Sequence, residues 1–187
     1  MMSWPKERKA ESRKKILESA ARLFTAYGYE RISIGDVMKD AGKTHGGFYS
    51  HFSSKNQLYA EAIQQAAKNS MNQHGDENLD QVFTNYLSME HVKLDKASCP
   101  LAFLSTDVAT KEKAIRDVYT HTFTGFADLI GRSQRIDSQE KSYAISALLI
   151  GGVAIARALS NDTLAQAVLN SCQKICHQLS SIEEDSI

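Results

Sequence analysis

Three cysteines supply the thiols of this sequence, and the position of one could make it reactive. Cys99 directly precedes Pro100, a residue suited to the first turn of a helix, and a thiol at a helix N-terminus has a stabilised thiolate and a lowered pKa. Two interpretations of Cys99 therefore stand: a thiol that senses electrophiles or oxidants, or a small packing residue. Cys172 and Cys176 are four residues apart on one predicted helix, which could hold a metal with outside ligands but is more typical of buried small residues. An odd number of cysteines without framework spacing indicates a reducing cytoplasm.

The histidines do not form a metal-binding or catalytic pattern along the chain. His45 and His51 are six residues apart, so they do not share the helix face that an i, i+4 ligand pair needs. His121 and His177 have no nearby partner in the sequence. The nucleophile-elbow, P-loop and zinc-protease motifs are absent, and the sequence nominates no base beside Cys99. The sequence therefore predicts neither an enzyme nor a bound metal or cofactor.

A helix-turn-helix pattern near the N-terminus is the strongest structural signal. Ser33 lies just before an apolar-periodic run, and Asp36 follows three residues later, which is a helix-start signature. Gly42 is expected to end that helix because it can adopt the left-handed conformation of a sharp turn, and Thr44 can cap the next helix. Two helices across a glycine-containing turn form the helix-turn-helix plan, whose second helix enters the major groove of DNA.

The residues in and around this pattern resemble the TetR family of transcriptional repressors. The run 41–63 is similar to the family's recognition segment, and its most specific part, beginning at Tyr49, reads YxHFxxKxxL. The resemblance extends from about Lys9 to Gln65. The upstream residues that match the family's first helix are Arg13, Ile16, Ala20, Leu23, Phe24 and Gly28.

The resemblance implies which residues contact DNA. The recognition helix would span about Thr44 to Phe52, with side chains at its start meeting base edges and phosphates and later ones bonding backbone phosphates. A cation in the first turn of the following helix would add a phosphate contact together with the amides of that helix. A glycine in the recognition helix would let the DNA approach closely. The residues carried over in this way are Ser33, Lys43, Thr44, His45, Gly46, Tyr49, His51 and Lys55.

Two residues depart from the family pattern. His45 stands where family members often have lysine, so we expect base readout there to differ. Gly47 replaces a commoner alanine, serine or threonine, and a glycine inside a helix costs roughly 1 kcal/mol of helix propensity. We therefore expect a recognition helix that is loose until DNA orders it, held in place by Phe48 and Phe52 as core residues.

Composition and charge indicate the class of the protein. The chain has 187 residues, 42% of them apolar, with two prolines and no alternating strand pattern, which predicts an all-α protein of about nine helices. Residues 1–60 hold 11 Lys and Arg against 6 Asp and Glu, whereas residues 61–187 hold 11 against 16. A basic head beside an acidic remainder suits a DNA-binding protein, although cations on a solvated helix face would give the same asymmetry. We predict a DNA-binding domain over 1–60, with the helix-turn-helix at about 32–52, and an effector-binding and dimerisation domain over 61–187.

Targeting and membrane signals are weak in this sequence. The N-terminus has no apolar core, so it is not interpreted as a signal peptide. The longest apolar run, 143–156, is too short for a membrane span and predicts a buried helix, which again favours the cytoplasm. Besides the two helices of the helix-turn-helix, helices are predicted over about 6–27, 54–73, 79–87, 100–108, 111–132, from 137 or 138 to 159, and from 161 or 162 to 179.

The C-terminal part carries candidates for assembly and for effector binding. TetR-like proteins dimerise through their last two long helices, and small residues on the eighth predicted helix let another helix approach closely. A tight contact within the chain would use the same spacing, so both interpretations stand. The candidate interface residues are Gly151, Ala154 and Ala158. The candidates for lining an effector cavity, which as a set are more often plain core, are Cys99, Phe103, Tyr119 and Phe123.

The sequence thus predicts a dimeric transcriptional repressor that binds a palindromic operator in double-stranded DNA. A small-molecule effector, which the sequence does not identify, would release it. One alternative is a repressor that senses electrophiles or oxidants through Cys99. Another is a helical protein-interaction module that has lost DNA binding, and the intact Tyr49, His51 and Lys55 argue against it.

Overall fold

A computed structural model describes residues 4–74, 78–93 and 99–181 of the chain. These residues form nine α-helices and one 3₁₀ helix and contain no strand, which confirms the predicted all-α class. The helices are α1 (Trp4–Tyr27), α2 (Ile34–Asp40), the 3₁₀ helix (His45–Ser50), α3 (Lys55–His74), α4 (Leu79–Tyr86), α5 (Met89–Val92), α6 (Pro100–Val108), α7 (Lys113–Gly131), α8 (Gln139–Ala158) and α9 (Asp162–Leu179).

The chain packs as two compact units. The first comprises Met1–Asn72 together with Ser98–Thr120, and the second comprises Gln73–Ala97 together with His121–Ile187. Packing therefore does not divide the chain at the predicted boundary between residues 60 and 61, because α6 and the first part of α7 join the N-terminal helices. The assignment of separate functions to 1–60 and 61–187 stays a prediction.

A continuous apolar core holds the first unit together. Phe48 and Phe52, interpreted as core residues, are fully or almost fully buried, and their rings stack with centroids 5.8 Å apart. Burying an aromatic side chain of this kind contributes about 1.5–3 kcal/mol. The same core takes in Leu104 and Val108 of α6 and Ile115 of α7. The core thus ties the helix-turn-helix to α6 and the start of α7.

Capping hydrogen bonds show at which residue several of the predicted helices begin. Ser138, and not Asp137, caps α8 by accepting a hydrogen bond from the Lys141 amide, and Asn161 caps α9 in the same way. The amide of Gln57 donates to the Ser54 hydroxyl at 3.0 Å, as the predicted start of α3 requires. These caps satisfy amides that have no partner within the helix.

Two elements differ from the prediction. The recognition segment is a 3₁₀ helix that ends at Ser50, whereas an α-helix reaching Phe52 was expected. Two consecutive glycines in six residues favour a short, tighter helix because they weaken α-helical propensity. The short α5 was not predicted. It begins where the Ser88 hydroxyl accepts from the His91 amide, and four residues are too few for a periodic pattern.

In the second unit, α8 and α9 pack along each other, and one glycine sets how closely they approach. A Cβ atom added to Gly152 would lie 3.0 Å from Leu87 Cδ2 and 3.1 Å from Cys172 Sγ. Within the described residues, α8 is also the one helix that is long and apolar enough to cross a membrane, and 44% of its span is buried inside the protein. Its buried Ser142 hydroxyl donates to the Ala127 carbonyl oxygen.

Candidate DNA-binding interface

A sharp turn joins α2 to the 3₁₀ helix. Gly42 has φ +66°, the left-handed conformation that was predicted for it. The Gly42 amide donates to the Lys39 carbonyl at 3.1 Å, and the Lys43 amide donates to the Met38 carbonyl at 2.8 Å. These two hydrogen bonds close the C-terminus of α2 and direct the chain outward into the recognition segment.

The 3₁₀ helix presents one buried face and one exposed face. Phe48 anchors the buried face, while Tyr49 is 67% exposed and meets the Phe48 ring edge-on with centroids 5.1 Å apart. A Cβ atom added to Gly46 would meet nothing within 4 Å, so Gly46 faces open space. One added to Gly47 would lie 3.7 Å from Thr44 Oγ1, so Gly47 faces the protein. The candidates that are exposed in this segment are Thr44, His45, Gly46 and Tyr49.

Ser33 and Thr44 stand at the two helix starts of the motif and behave differently. The Ser33 hydroxyl accepts from the Asp36 amide at 3.1 Å, and the Asp36 carboxylate accepts from the Ser33 amide at 2.8 Å, which completes a capping box. The Ser33 hydroxyl also donates to the same carboxylate at 2.6 Å. The hydrogen bonds from Ser33 hold the pKa of the Asp36 carboxyl below its usual value. Thr44 occupies the N-cap position of the 3₁₀ helix, but its side chain makes no capping hydrogen bond. The Thr44 hydroxyl is therefore not used in capping.

Lys55 begins α3, as predicted, but its ammonium group is tied to Tyr29. Lys55 Nζ donates to the Tyr29 carbonyl oxygen at 2.6 Å and lies 4.0 Å from the centroid of the Tyr29 ring. Partial burial lowers the pKa of this ammonium. A cation over an aromatic face is stabilised by the ring quadrupole by about 0.5–1 kcal/mol or more when partly desolvated. The turn that follows α1 thus holds the Lys55 ammonium, the candidate phosphate-binding group, in place.

That turn is fixed from a second side by Asp107, at the end of α6. One carboxylate oxygen of Asp107 accepts from the Tyr29 amide and from the Tyr59 hydroxyl, each at 2.8 Å. Lys111 lies 3.6 Å from the other oxygen and 4.1 Å from the centroid of the Tyr29 ring. Sequence reasoning missed this junction, because Asp107 is 78 residues from Tyr29 along the chain and no local pattern marks it.

His51 follows the 3₁₀ helix and is half-buried. Its Nδ1 is buried without a hydrogen-bond partner within the described part of the chain. Burial lowers the pKa of the imidazole, and so do the nearby charges of Lys9, Arg13 and Lys43. The charges of Lys9 and Arg13 on α1 and of Lys43 in the turn thus act on the His51 ring.

Of the residues proposed to line an effector cavity, Cys99, Phe103 and Tyr119 belong to the first unit and Phe123 to the second. Cys99 is only 5% exposed and precedes α6, and the Tyr119 hydroxyl donates to the Leu101 carbonyl at 2.7 Å, with burial raising the pKa of Tyr119 to about 12. Phe123 belongs to the second unit, where its ring lies 6.0 Å from that of Tyr143. An open cavity of about 560 Å³ lies at the junction of α7 and α8, and none of Cys99, Phe103, Tyr119 and Phe123 lines it.

The three cysteines form no disulfide bond with one another. Burial raises the pKa of Cys176 to about 12. Among the residues that the structure describes, no group of three or more His, Cys, Asp or Glu side chains could hold a metal ion.

The predicted dimer residues Gly151, Ala154 and Ala158 all lie on α8. A Cβ atom added to Gly151 would meet nothing within 4 Å, while the neighbouring Gly152 makes the close intramolecular contact. Ala158 is exposed and Ala154 is partly exposed. Gly151 therefore does not make the tight contact within the chain that was the alternative interpretation, and the dimer interface stays a prediction.

Comparison with known proteins gives a family match in the N-terminal helices. Residues 16–62 match the family model described as bacterial regulatory proteins, tetR family. The HTH-type transcriptional regulator LmrA of Bacillus subtilis is 25% identical over 170 residues, which cover 82% of this chain and 90% of that protein. The HTH-type transcriptional regulator AcrR of Shigella flexneri is 41% identical over 56 residues, covering 30% of this chain and 26% of that protein.

A solved structure extends the likeness to the fold. The crystal structure of a TetR transcriptional regulator from Chloroflexus aurantiacus matches with a TM-score of 0.70 and 22% sequence identity. The match covers 92% of this chain and 97% of that one. The family model's match, residues 16–62, spans the second half of α1, α2, the turn, the 3₁₀ helix and the start of α3.

Proposed function

The chain belongs to the tetR family of bacterial regulatory proteins, which are DNA-binding transcriptional regulators, and from that premise we propose that it is a cytoplasmic, dimeric repressor. It binds a palindromic operator in double-stranded DNA through Ser33, Lys43, Thr44, His45, Gly46, Tyr49, His51 and Lys55. A small-molecule effector lowers its affinity for that operator.

The observation that carries the proposal is the exposed face of the 3₁₀ helix. Tyr49 projects into solvent although it is a large aromatic residue, and Gly46 beside it leaves the backbone uncovered. A phenol that donates to a phosphate and a glycine that permits close approach suit the groove and backbone of DNA. The buried Phe48 lies between them and anchors the 3₁₀ helix to the core.

The second unit supports the dimer. Apolar side chains remain exposed on α8 and α9, among them Ile155 at 55% and Leu164 at 50%. Together with Gly151 and Ala158 they form an apolar face of two neighbouring helices that no other described segment covers. The same face of a second copy is its proposed partner, because a two-fold arrangement matches a palindromic operator.

The Asp107 junction supports a route for release. A ligand shifts an equilibrium only if it binds one state more tightly than the other. Because Asp107 at the end of α6 holds both the Tyr29 turn and Tyr59 of α3, a displacement of α6 would move the turn that leads into α2. We therefore assign the coupling of effector to DNA binding to α6 and this junction.

A gel shift with the DNA upstream of the protein's own gene tests the proposal. We expect a complex that survives an excess of random competitor DNA, and a loss of affinity in Tyr49→Ala. Tyr27→Ala is the matched control, since Tyr27 is a similarly exposed tyrosine outside the proposed contact set. No complex with any fragment, or equal loss in both variants, would contradict the proposed interface.

A further inference from the structure

His51 has two ring nitrogens in different surroundings. Nδ1 is buried and has no hydrogen-bond partner within the described residues. A buried donor without an acceptor costs about 1–3 kcal/mol, so the proton of a neutral imidazole is more stable on Nε2. A charged imidazolium would carry an N–H at both positions and leave the Nδ1 donor unsatisfied. The packing around Nδ1 therefore selects a neutral ring with Nε2–H as its one donor.

Cations from two elements surround this ring. Lys9 and Arg13 face it from α1, and Lys43 faces it from the turn before the 3₁₀ helix; all three, together with burial, lower the pKa of His51. Arg13 is compensated, because it pairs with Glu61 at 2.6 Å and its guanidinium lies 4.5 Å from the centroid of the Phe52 ring. This contact places α1 directly beside the residue that follows His51.

Lys9 and Lys43 are not compensated in this way. Lys9 lies one helical turn before Arg13 and so projects from the same side of α1. Within the described residues, neither the Lys9 nor the Lys43 ammonium pairs with a carboxylate. Lys15 and, after it, Lys43 lower the pKa of the Glu11 carboxyl, but that carboxylate already pairs with Lys15 at 2.8 Å. The two ammonium groups beside a neutral N–H donor therefore form a site with net positive charge.

We infer that Lys9, Lys43 and the Nε2–H group of a neutral His51 together bind one backbone phosphate of DNA, which extends the DNA-binding surface onto α1. The inference rests on the proposed function and deepens it, because it adds Lys9 to the contact residues and fixes the protonation state in which His51 acts. An ammonium group contributes mainly charge, whereas the neutral imidazole N–H contributes one directional hydrogen bond. The two kinds of donor can therefore be tested separately, by the salt dependence of binding and by substitutions that keep or remove the hydrogen bond.

The role of Lys9 is tested by the salt dependence of binding to a random-sequence duplex of about 30 base pairs. Each phosphate contact by a cation contributes roughly one unit to the slope of log K against log salt. We expect Lys9→Ala to lower the slope by about one unit and Lys14→Ala to leave it unchanged. Lys14 is the matched control, since it is an exposed cation on the same helix whose neighbour is Glu18 at 3.8 Å. Equal slopes for Lys9→Ala and Lys14→Ala would overturn the inference.

The state of His51 is tested by two amide substitutions. The side-chain amide of glutamine reaches the position of imidazole Nε2, whereas that of asparagine reaches Nδ1. We expect His51→Gln to retain affinity within about threefold and His51→Asn to lose it by tenfold or more. The ratio of wild-type to His51→Gln affinity should stay constant between about pH 6.5 and 8.5. A ratio that rises as the pH falls, or a reversed order of the amide variants, would show that a charged imidazolium makes the contact.

Free inorganic phosphate is the other source of the same chemistry. Calorimetric titration of phosphate into the DNA-free protein, wild type and Lys9→Ala, separates the two sources. Phosphate binding that depends on Lys9, with the DNA salt slope unaffected by Lys9→Ala, would overturn the assignment to DNA. A wild-type protein that binds no DNA at all would instead contradict the proposed function, so the two failures are distinguishable.

Discussion

The Lys55 ammonium donates a 2.6 Å hydrogen bond to the Tyr29 carbonyl oxygen. This contact joins the first turn of α3 to the turn that follows α1, and Asp107 fixes the same turn through the Tyr29 amide. One ammonium group has three donors, so Lys55 can hold Tyr29 and still donate to a phosphate at the α3 N-terminus. Tyr29 is therefore a positioning residue for a candidate DNA contact.

Replacing Lys55 by methionine should weaken binding to all DNA sequences by the same factor. The methionine keeps an unbranched apolar stem but removes the charge, so we expect equal losses on upstream and random DNA and a salt slope lower by about one unit. Lys39→Met is the control, because it removes an exposed cation from α2. An unchanged slope in Lys55→Met would show that the ammonium serves Tyr29 alone.

The two glycines of the 3₁₀ helix should respond oppositely to alanine. Gly47→Ala places a methyl group in ordinary contact with Thr44, and we expect a gain in unfolding free energy of roughly 0.5–1 kcal/mol with DNA affinity retained. Gly46→Ala should fold equally well but place its methyl group toward the DNA and weaken binding. Denaturant unfolding and fluorescence anisotropy on the same samples separate the effects. Similar DNA affinities in both variants would remove Gly46 from the interface.

Gly151 and Gly152 form a second matched pair, on α8. Gly152→Leu should destabilise the fold by about 1–3 kcal/mol or more, because its side chain would overlap Leu87 and Cys172. Gly151→Leu should weaken self-association. It should leave the midpoint of thermal unfolding of the monomer nearly unchanged. Sedimentation velocity over a range of concentrations measures self-association. An intact Gly151→Leu dimer with wild-type operator affinity would place the interface elsewhere.

Cys99 should be a poor sensor. Its thiol is 5% exposed, and access is as necessary as thiolate character for reaction with an alkylating agent. We expect slow alkylation at neutral pH, measured by mass spectrometry, with no release of DNA from the wild type. Rapid release that is absent in Cys99→Ser but retained in the Cys172→Ser, Cys176→Ser double variant would support the thiol-sensing alternative.

The elements that sequence could predict are those specified locally. Ser33 with Asp36 and the glycine at position 42 mark the motif by short-range chemistry, and the structure places them as expected. The 3₁₀ geometry of the recognition segment was not predicted, because the adjacent glycines Gly46 and Gly47 weaken an α-helix without specifying which shorter helix replaces it. The Asp107 junction depends on residues far apart in the chain, so periodicity and capping could not reveal it. Gly151 and Gly152 on α8 could not be distinguished from the sequence, because they differ only in their packing contacts.

Nuclease footprinting of the DNA upstream of the protein's own gene tests the central claim most directly. A dimer that presents two 3₁₀ recognition helices should protect two half-sites related by a dyad, with centres separated by a multiple of about 10.5 base pairs. Tyr49→Ala should abolish this protection at concentrations where Tyr27→Ala preserves it. Protection of a single, asymmetric site, or none that depends on Tyr49, would contradict the account.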